Sequence, residues 1–356
     1  MKLLYILIAL AALAASSLAQ WTVTDLNPSG ASHSAAYGVD TGVQVGSTGG
    51  GYAALWHNTA SSWVGLNPAG ASQSEAYGVS GNYQVGYANI GGIRSAGLWN
   101  GTASSWVSLN PSGASMSRAL GISNGQVVGW ANFGNPHAGL WNGTAGSWVD
   151  LNPSGASASE GYAVSNGQQV GRANVANDVH ASLWNGTSAS WVDLNPSGIS
   201  TSIAFGISDG QQVGMADSHA SLWAGTAASW VDLNPTNSSQ SVVYGVSGGY
   251  QVGYAMQAGY GQETASLWNG TAGSWVDLDA LLPSGTYVRS NAYNIKVSGS
   301  EIWIVGSANS TLSGMPHALL WHYTPVPEPA TIGILGLGLA FIARRSSTRL
   351  GVKRRC

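Results

Sequence analysis

Three serines sit in the surroundings of a hydrolase nucleophile: Gly121-Ile-Ser123-Asn-Gly125, Gly206-Ile-Ser208-Asp-Gly210 and Gly245-Val-Ser247-Gly-Gly249 each read G-x-S-x-G. That elbow requires a strand-to-helix turn with a histidine and an acid brought beside it. Here the copies fall at one point of a repeated pattern, between two strand-like runs, where Gly and Ser are ordinary turn residues. Four histidines recur as well. His137, His180, His219 and His317 each stand four residues ahead of a tryptophan, with Tyr52, Ser95 and Thr264 at that place elsewhere. Imidazole is the commonest metal ligand, but equivalent positions in separate repeats are kept apart, so a hydrogen-bonded structural role is expected and no metal site is nominated. Asp150, Asp193, Asp232 and Asp277 recur likewise. They lack the spacing of a calcium loop and are read as acceptors of turn or neighbouring-repeat hydrogen bonds.

One position varies while its neighbours hardly change. The residue after Gln-Val-Gly, or its equivalent, runs Ser47, Tyr87, Trp130, Arg172, Met215, Tyr254 and Ser307. Varied large side chains on a repeated scaffold are where binding could be grafted, so Tyr87, Trp130, Arg172, Met215 and Tyr254 are the candidate ligand-display residues. In a lectin-like version, Tyr87, Trp130 and Tyr254 stack sugar rings while Asn and Asp side chains bind hydroxyls. An equally simple role for these positions is a solvated one, or filler between repeats. No catalytic residue and no cofactor is nominated. A glycan-active hydrolase or lyase with a site at the centre of the repeats is the alternative, and it would need two carboxylates about 5 to 10 Å apart.

Charge narrows the partners. Residues 20–325 hold 5 basic side chains (Arg94, Arg118, Arg172, Arg289 and Lys296) against 14 acidic ones. Nucleic acid and anionic lipid are bound through clustered Lys and Arg, so neither is an expected partner. A single cysteine, Cys356, excludes an intramolecular disulfide and any multi-cysteine metal centre.

The elements that must position these residues are legible from the tryptophans. A first set falls at Trp21, Trp63, Trp106, Trp148, Trp191, Trp230 and Trp275, with spacings of 42, 43, 42, 43, 39 and 45 residues. A second set falls at Trp56, Trp99, Trp141, Trp184, Trp223, Trp268 and Trp321. Between them each unit holds four short runs rich in Trp, Tyr and Val, bounded by Gly, Asn, Pro or Ser, which read as strands. Four strands in about 42 residues match one blade of a β-propeller. Asn100-Gly101, Asn142-Gly143, Asn185-Gly186 and Asn269-Gly270 lie between the last two strands of a unit. They are expected to form tight hairpins with both residues at φ > 0. Each also begins an Asn-Gly-Thr sequon, as Asn237 and Asn309 begin two others, but the turn is explanation enough for the sequence. Both tryptophan sets are assigned to blade packing, because each indole buries about 150 to 250 Å².

The register at the two ends predicts a closed ring. Trp21 to Leu26 is a strand with no preceding partner, and His317 to Tyr323 lacks a following one. Pairing them completes a seventh blade with Asn291 to Val297 and Glu301 to Ser307, and leaves no open sheet edge. The fold class is therefore all-β: a seven-bladed propeller of four-stranded blades over residues 20–323, closed by its N- and C-terminal strands.

Flanking segments fix a destination. Residues 1–19 run from Lys2 through a continuous apolar stretch to Ser17 and Ala19, the form of a secretory signal peptide. Ala330 to Ala343 is apolar and uncharged, and Arg344, Arg345, Arg349, Lys353, Arg354 and Arg355 follow it. A short transmembrane helix with a cytoplasmic basic end is expected, although 14 residues fall short of the roughly 17 to 25 that span comfortably. Before it stands Val326-Pro327-Glu328-Pro329, whose two prolines prevent a continuous helix. In that order these elements closely resemble the PEP-CTERM sorting signal, here residues 324–356. The resemblance implies an exported protein of a Gram-negative bacterium, processed by an exosortase, a membrane cysteine protease, often alongside exopolysaccharide production. It implies transient inner-membrane anchoring and then a cell-surface or extracellular-matrix location. The His-Ala-x-Leu-Trp runs resemble the HAF-type extracellular repeat, with Gly, Ser or Leu where that motif has Phe. This implies an exported β-repeat protein and assigns no activity. The expected function is a non-enzymatic surface or matrix component, structural or polysaccharide-binding.

Overall fold

Seven four-stranded antiparallel sheets make up the fold. The computed structural model describes residues 20–259 and 261–325. The expected signal peptide and transmembrane helix, the Val326–Pro329 motif and the basic tail lie outside the described residues. Blade 1 runs through strands Ser34–Asp40, Val43–Thr48, Tyr52–Trp56 and Val64–Gly65. Blades 2 to 6 repeat that order from inner strands Ala71–Ser80, Met116–Ser123, Ala158–Ser165, Ser202–Ser208 and Ser238–Ser247.

Blade 7 takes three strands from the end of the repeats, Tyr287–Ser298, Glu301–Ser310 and Pro316–Thr324, and its outermost from Gln20–Asp25. The predicted closure is therefore present. Leu26 N–H donates to the Ala318 carbonyl at 2.8 Å, Thr22 reaches the His322 carbonyl, and His317 meets Asp25 at 2.8 Å. Residues almost 300 apart in sequence are thereby fastened by an ordinary sheet ladder.

The two tryptophan sets do different jobs. The second is wholly enclosed: Trp56, Trp99, Trp141, Trp184, Trp223, Trp268 and Trp321 are all 0% exposed. The first lies on the flank of each blade at partial exposure, and Trp63 is 44% exposed, so assigning both sets to the interior is corrected for the first. Trp106 and Trp148 lie over Gly97 and Gly139, where a Cβ would overlap the indole. Where serine replaces that glycine, the indole N–H donates to it: Trp191 to Ser182, Trp230 to Ser221 and Trp275 to Ser266, at 2.9 to 3.0 Å.

Blades are joined by a recurring serine near the start of each inner strand. Ser159 is typical: its hydroxyl donates to Asn152 Oδ1 at 2.7 Å and accepts from Ala138 N–H at 2.9 Å, both in the preceding blade. The Leu-Asn-Pro asparagine thus recurs because it is an inter-blade acceptor, while its own Nδ2 donates to the carbonyl four residues on. In the last joint Asp279 takes the asparagine's place and accepts from Ser290.

The Asn-Gly expectation is also corrected. In the connection before the last strand only the glycine takes φ > 0 (Gly101 74°, Gly186 78°), and a 3₁₀ turn follows, such as Ala103–Ser105. The tight hairpins join the first two strands of a blade. Asn124-Gly125, Asn166-Gly167 and Asp209-Gly210 have both residues at positive φ, as a two-residue type I′ turn demands.

Candidate functional site at the propeller axis

Every inner strand carries a β-bulge at the same place in the blade. In blade 1 Ala36 pairs with Gly46 and Gly38 with Val45, which leaves Tyr37 unpaired between them. The same skip falls at Tyr77, Leu120, Tyr162, Phe205, Tyr244 and Tyr293. A bulge re-aims the extra side chain, and here the unpaired side chains of all seven blades face the axis. The Gln-Val-Gly glycine makes room for this. At Gly171, for example, a Cβ would overlap the Glu160 carbonyl oxygen on the inner strand.

Six of the seven residues are aromatic, and they form a girdle. Ring centroids lie 5.4 Å apart for Tyr162–Phe205, 5.4 Å for Phe205–Tyr244 and 5.7 Å for Tyr244–Tyr293. The chain of rings continues through Tyr293–Tyr37 at 5.5 Å and Tyr37–Tyr77 at 5.4 Å. Leu120 fills the seventh place. Burial pushes the Tyr37 phenol up to about 12 and raises those of Tyr77, Tyr162, Tyr244 and Tyr293, so all remain neutral donors at physiological pH. Sequence reasoning missed this girdle, although one signal was available: in six of the seven repeats an aromatic residue stands two places before the Val or Ile near the end of the inner strand, as in Tyr77-Gly-Val and Tyr162-Ala-Val.

On the side where the inner strands end, the girdle forms the floor of a cavity of about 360 Å³. Its lining includes Ser80, Ser123, Ser165, Ser208 and Ser247, with Asp40 and Lys296 paired at 3.1 Å. Burial acts to raise the Asp40 pKa, but the Gly81 and Thr41 amides and Lys296 outweigh it and hold the carboxyl below its usual range. The three G-x-S-x-G serines thus share one mouth. No histidine lines it among the described residues, and Ser247 Oγ accepts from the Val297 amide.

The opposite, entry side of the girdle is charged. Tyr162 donates to Glu160 at 2.7 Å, Arg172 pairs with Glu160 at 2.8 Å, and Tyr77 donates to Glu75. Arg94 and Arg118 stack on the Tyr87 ring at 4.7 and 4.9 Å, and Arg118 also lies 5.9 Å from Trp130. These two cations have no carboxylate within ion-pair distance among the described residues, whereas Arg172, Arg289 and Lys296 pair with Glu160, Glu263 and Asp40. Their shared ring keeps the guanidiniums within about 10 Å of each other, so at an effective dielectric near 20 they repel by about 2 kcal/mol.

The candidate display residues therefore ring the axis on the entry side, just outside the girdle. Tyr87 is 2% exposed, which removes it as an open stacking surface. Its place between Arg94 and Arg118 makes it a support for cations instead. Trp130, Arg172, Met215 and Tyr254 are half-buried. The four recurrent histidines lie elsewhere, away from both mouths. Each meets the aspartate of its own blade: His137–Asp150, His180–Asp193, His219–Asp232 and His317–Asp25, at 2.7 to 2.9 Å. Blades 1 and 2 lack both partners, having Tyr52 with Gly65 and Ser95 with Ser108. Among the described residues no cluster of three or more metal-ligating side chains occurs.

Residues 325–349 match the PEP-CTERM protein-sorting motif. The match marks the chain as an exported, surface-targeted substrate of exosortase processing. No curated protein matches. Among solved structures, two of puromycin hydrolase are similar, with TM-scores of 0.54 and 0.52 and identities of 12% and 13%; the matches cover 84% of this chain. The matched region is 55% of those chains, so this chain corresponds to about half their length. YCF48 bound to D1 peptide matches with TM-score 0.48 and 12% identity over 88% of this chain and 100% of that one. At such identity the puromycin hydrolase likeness speaks to the propeller fold alone. Among the described residues no helix is long and apolar enough to cross a membrane.

Proposed function

We propose that the mature protein is a non-enzymatic component of the cell surface or extracellular matrix that binds neutral sugar units of a polysaccharide in the axial cavity. The observation that carries this reading is the girdle itself: six aromatic rings flooring a cavity rimmed by five serine hydroxyls. Ring faces accept the apolar face of a pyranose, while hydroxyls and neutral phenols exchange hydrogen bonds with its own hydroxyls. A non-enzymatic role is supported by the lining, whose one carboxylate, Asp40, is held by Lys296 and two amides. Glycan hydrolysis would ask for a second carboxylate facing the first. The sorting motif supports the location, since it directs export to the surface.

The test is a glycan array followed by calorimetry on the full chain and on a Phe205→Leu/Tyr244→Leu double variant, which copies the side chain already present at Leu120. At least a tenfold loss of neutral-glycan affinity is expected. Undiminished binding by the double variant removes the axial cavity as the site. Release of reducing ends from any bound glycan removes the non-enzymatic reading.

A further inference from the structure

Arg94 and Arg118 come from adjacent blades and converge on Tyr87 on the entry side of the axis. They are anomalous in a domain whose acids far outnumber its bases, because every other described Arg or Lys has found a carboxylate. Both guanidiniums remain charged at any accessible pH. Each also has its Nε enclosed and without an acceptor among the described residues. Glu75, cross-strand from Tyr87 and accepting from Tyr77, offsets one of the two charges without pairing with either guanidinium, so the cluster keeps a net positive charge that an anion would complete, and forked guanidiniums match the two oxygens of a carboxylate or sulfate. Trp130 lies beside Arg118, half-buried, and offers a flat apolar face where a sugar ring would sit if its acidic group reached the guanidiniums.

We infer that Arg94 and Arg118, supported on Tyr87 and flanked by Trp130, form a binding subsite for the acidic group of a polysaccharide: a carboxylate- or sulfate-bearing sugar unit. The inference rests on the reading of the protein as a polysaccharide binder and names the class of saccharide, but it places this contact on the face opposite the neutral axial cavity.

The experiment titrates the full chain with trigalacturonate, a sulfated trigalactoside, the neutral trigalactoside and inorganic sulfate, at low and at 0.3 M salt. Expected are at least tenfold tighter binding of the acidic trisaccharides than of the neutral one, and marked weakening by salt. An Arg94→Gln/Arg118→Gln variant should lose the preference, and Arg172→Gln, whose partner is Glu160, should keep it. Tighter binding of one acidic trisaccharide than the other identifies the favoured anion and supports the subsite. Equal affinity for acidic and neutral trisaccharides, or a preference retained in the double variant, overturns the inference while leaving the axial-cavity reading intact. Inorganic sulfate binding as tightly as the acidic trisaccharides overturns the saccharide assignment. The salt dependence of the wild-type chain decides the matter without any variant: acidic-trisaccharide binding indifferent to 0.3 M salt overturns it.

Discussion

Asp279 offers the sharpest quantitative test of how the blades are joined. Six inter-blade joints use an asparagine, such as Asn152 or Asn195, to accept from the next blade's serine. The seventh uses Asp279, which accepts from Ser290. Burial pushes the Asp279 carboxyl up to about 6, and the Asp277 charge adds to this, although the Ser290 hydroxyl works against it. The native state therefore holds this proton across a window, from about pH 4 to 6, in which the unfolded chain has released it. In that window the native chain binds more protons through Asp279, so this group's contribution to stability is fully present below about pH 4 and is lost as pH rises through 6. Two pKa units correspond to about 3 kcal/mol at most. Partial exposure and solvent relaxation reduce that to about 1 to 2 kcal/mol at pH 7. Asp279→Asn restores the residue used by the other joints and removes the charge. It should raise stability by about 1 to 2 kcal/mol at pH 7 and by nearly nothing at pH 4, read as the shift of the urea midpoint at constant slope. A variant no more stable than wild type at pH 7, or one with equal gains at both pH values, would refute the reasoning.

Three further outcomes follow from the packing. Gly171→Ala should prevent folding or cost more than about 3 kcal/mol, because its Cβ overlaps the Glu160 carbonyl, whereas Gly101→Ala, at φ 74° in open space, should cost only about 1 kcal/mol; circular dichroism melts separate the two. Trp184→Ala should destabilise by about 3 to 5 kcal/mol and Trp63→Ala by about 1 to 2 kcal/mol, since one ring is 0% and the other 44% exposed; equal losses in denaturant titrations would contradict the division of the two tryptophan sets. Ser159→Ala should cost about 1 to 3 kcal/mol by leaving Ala138 N–H enclosed without an acceptor, with amide exchange at Ala138 rising in step; unchanged protection there would argue against the serine bridge.

How far the site could be read in advance depends on which residues must meet. The His and Asp repeats were visible separately, and each was assigned a hydrogen-bonding role. That they bond each other follows from the last two strands of a blade lying side by side, as Ser182 opposite Asp193 shows. The variable position after Gln-Val-Gly was visible too, but its exposure was not, since Tyr87 is covered by arginines of its own blade and the next.

Local chemistry repeated along the chain was sufficient to determine the seven blades, their four-strand order, the closure of Trp21–Leu26 onto His317–Tyr323 and the sorting tail. Each of these depends on periodicity or on order, which a linear string records in full. The aromatic girdle and the Arg94–Tyr87–Arg118 cluster were decided only by tertiary structure. A bulge shifts the inside–outside alternation by one residue, so strand pattern alone points Tyr37 and its counterparts the wrong way. Side chains from different blades become neighbours only when the ring closes, and no spacing along the sequence encodes that distance.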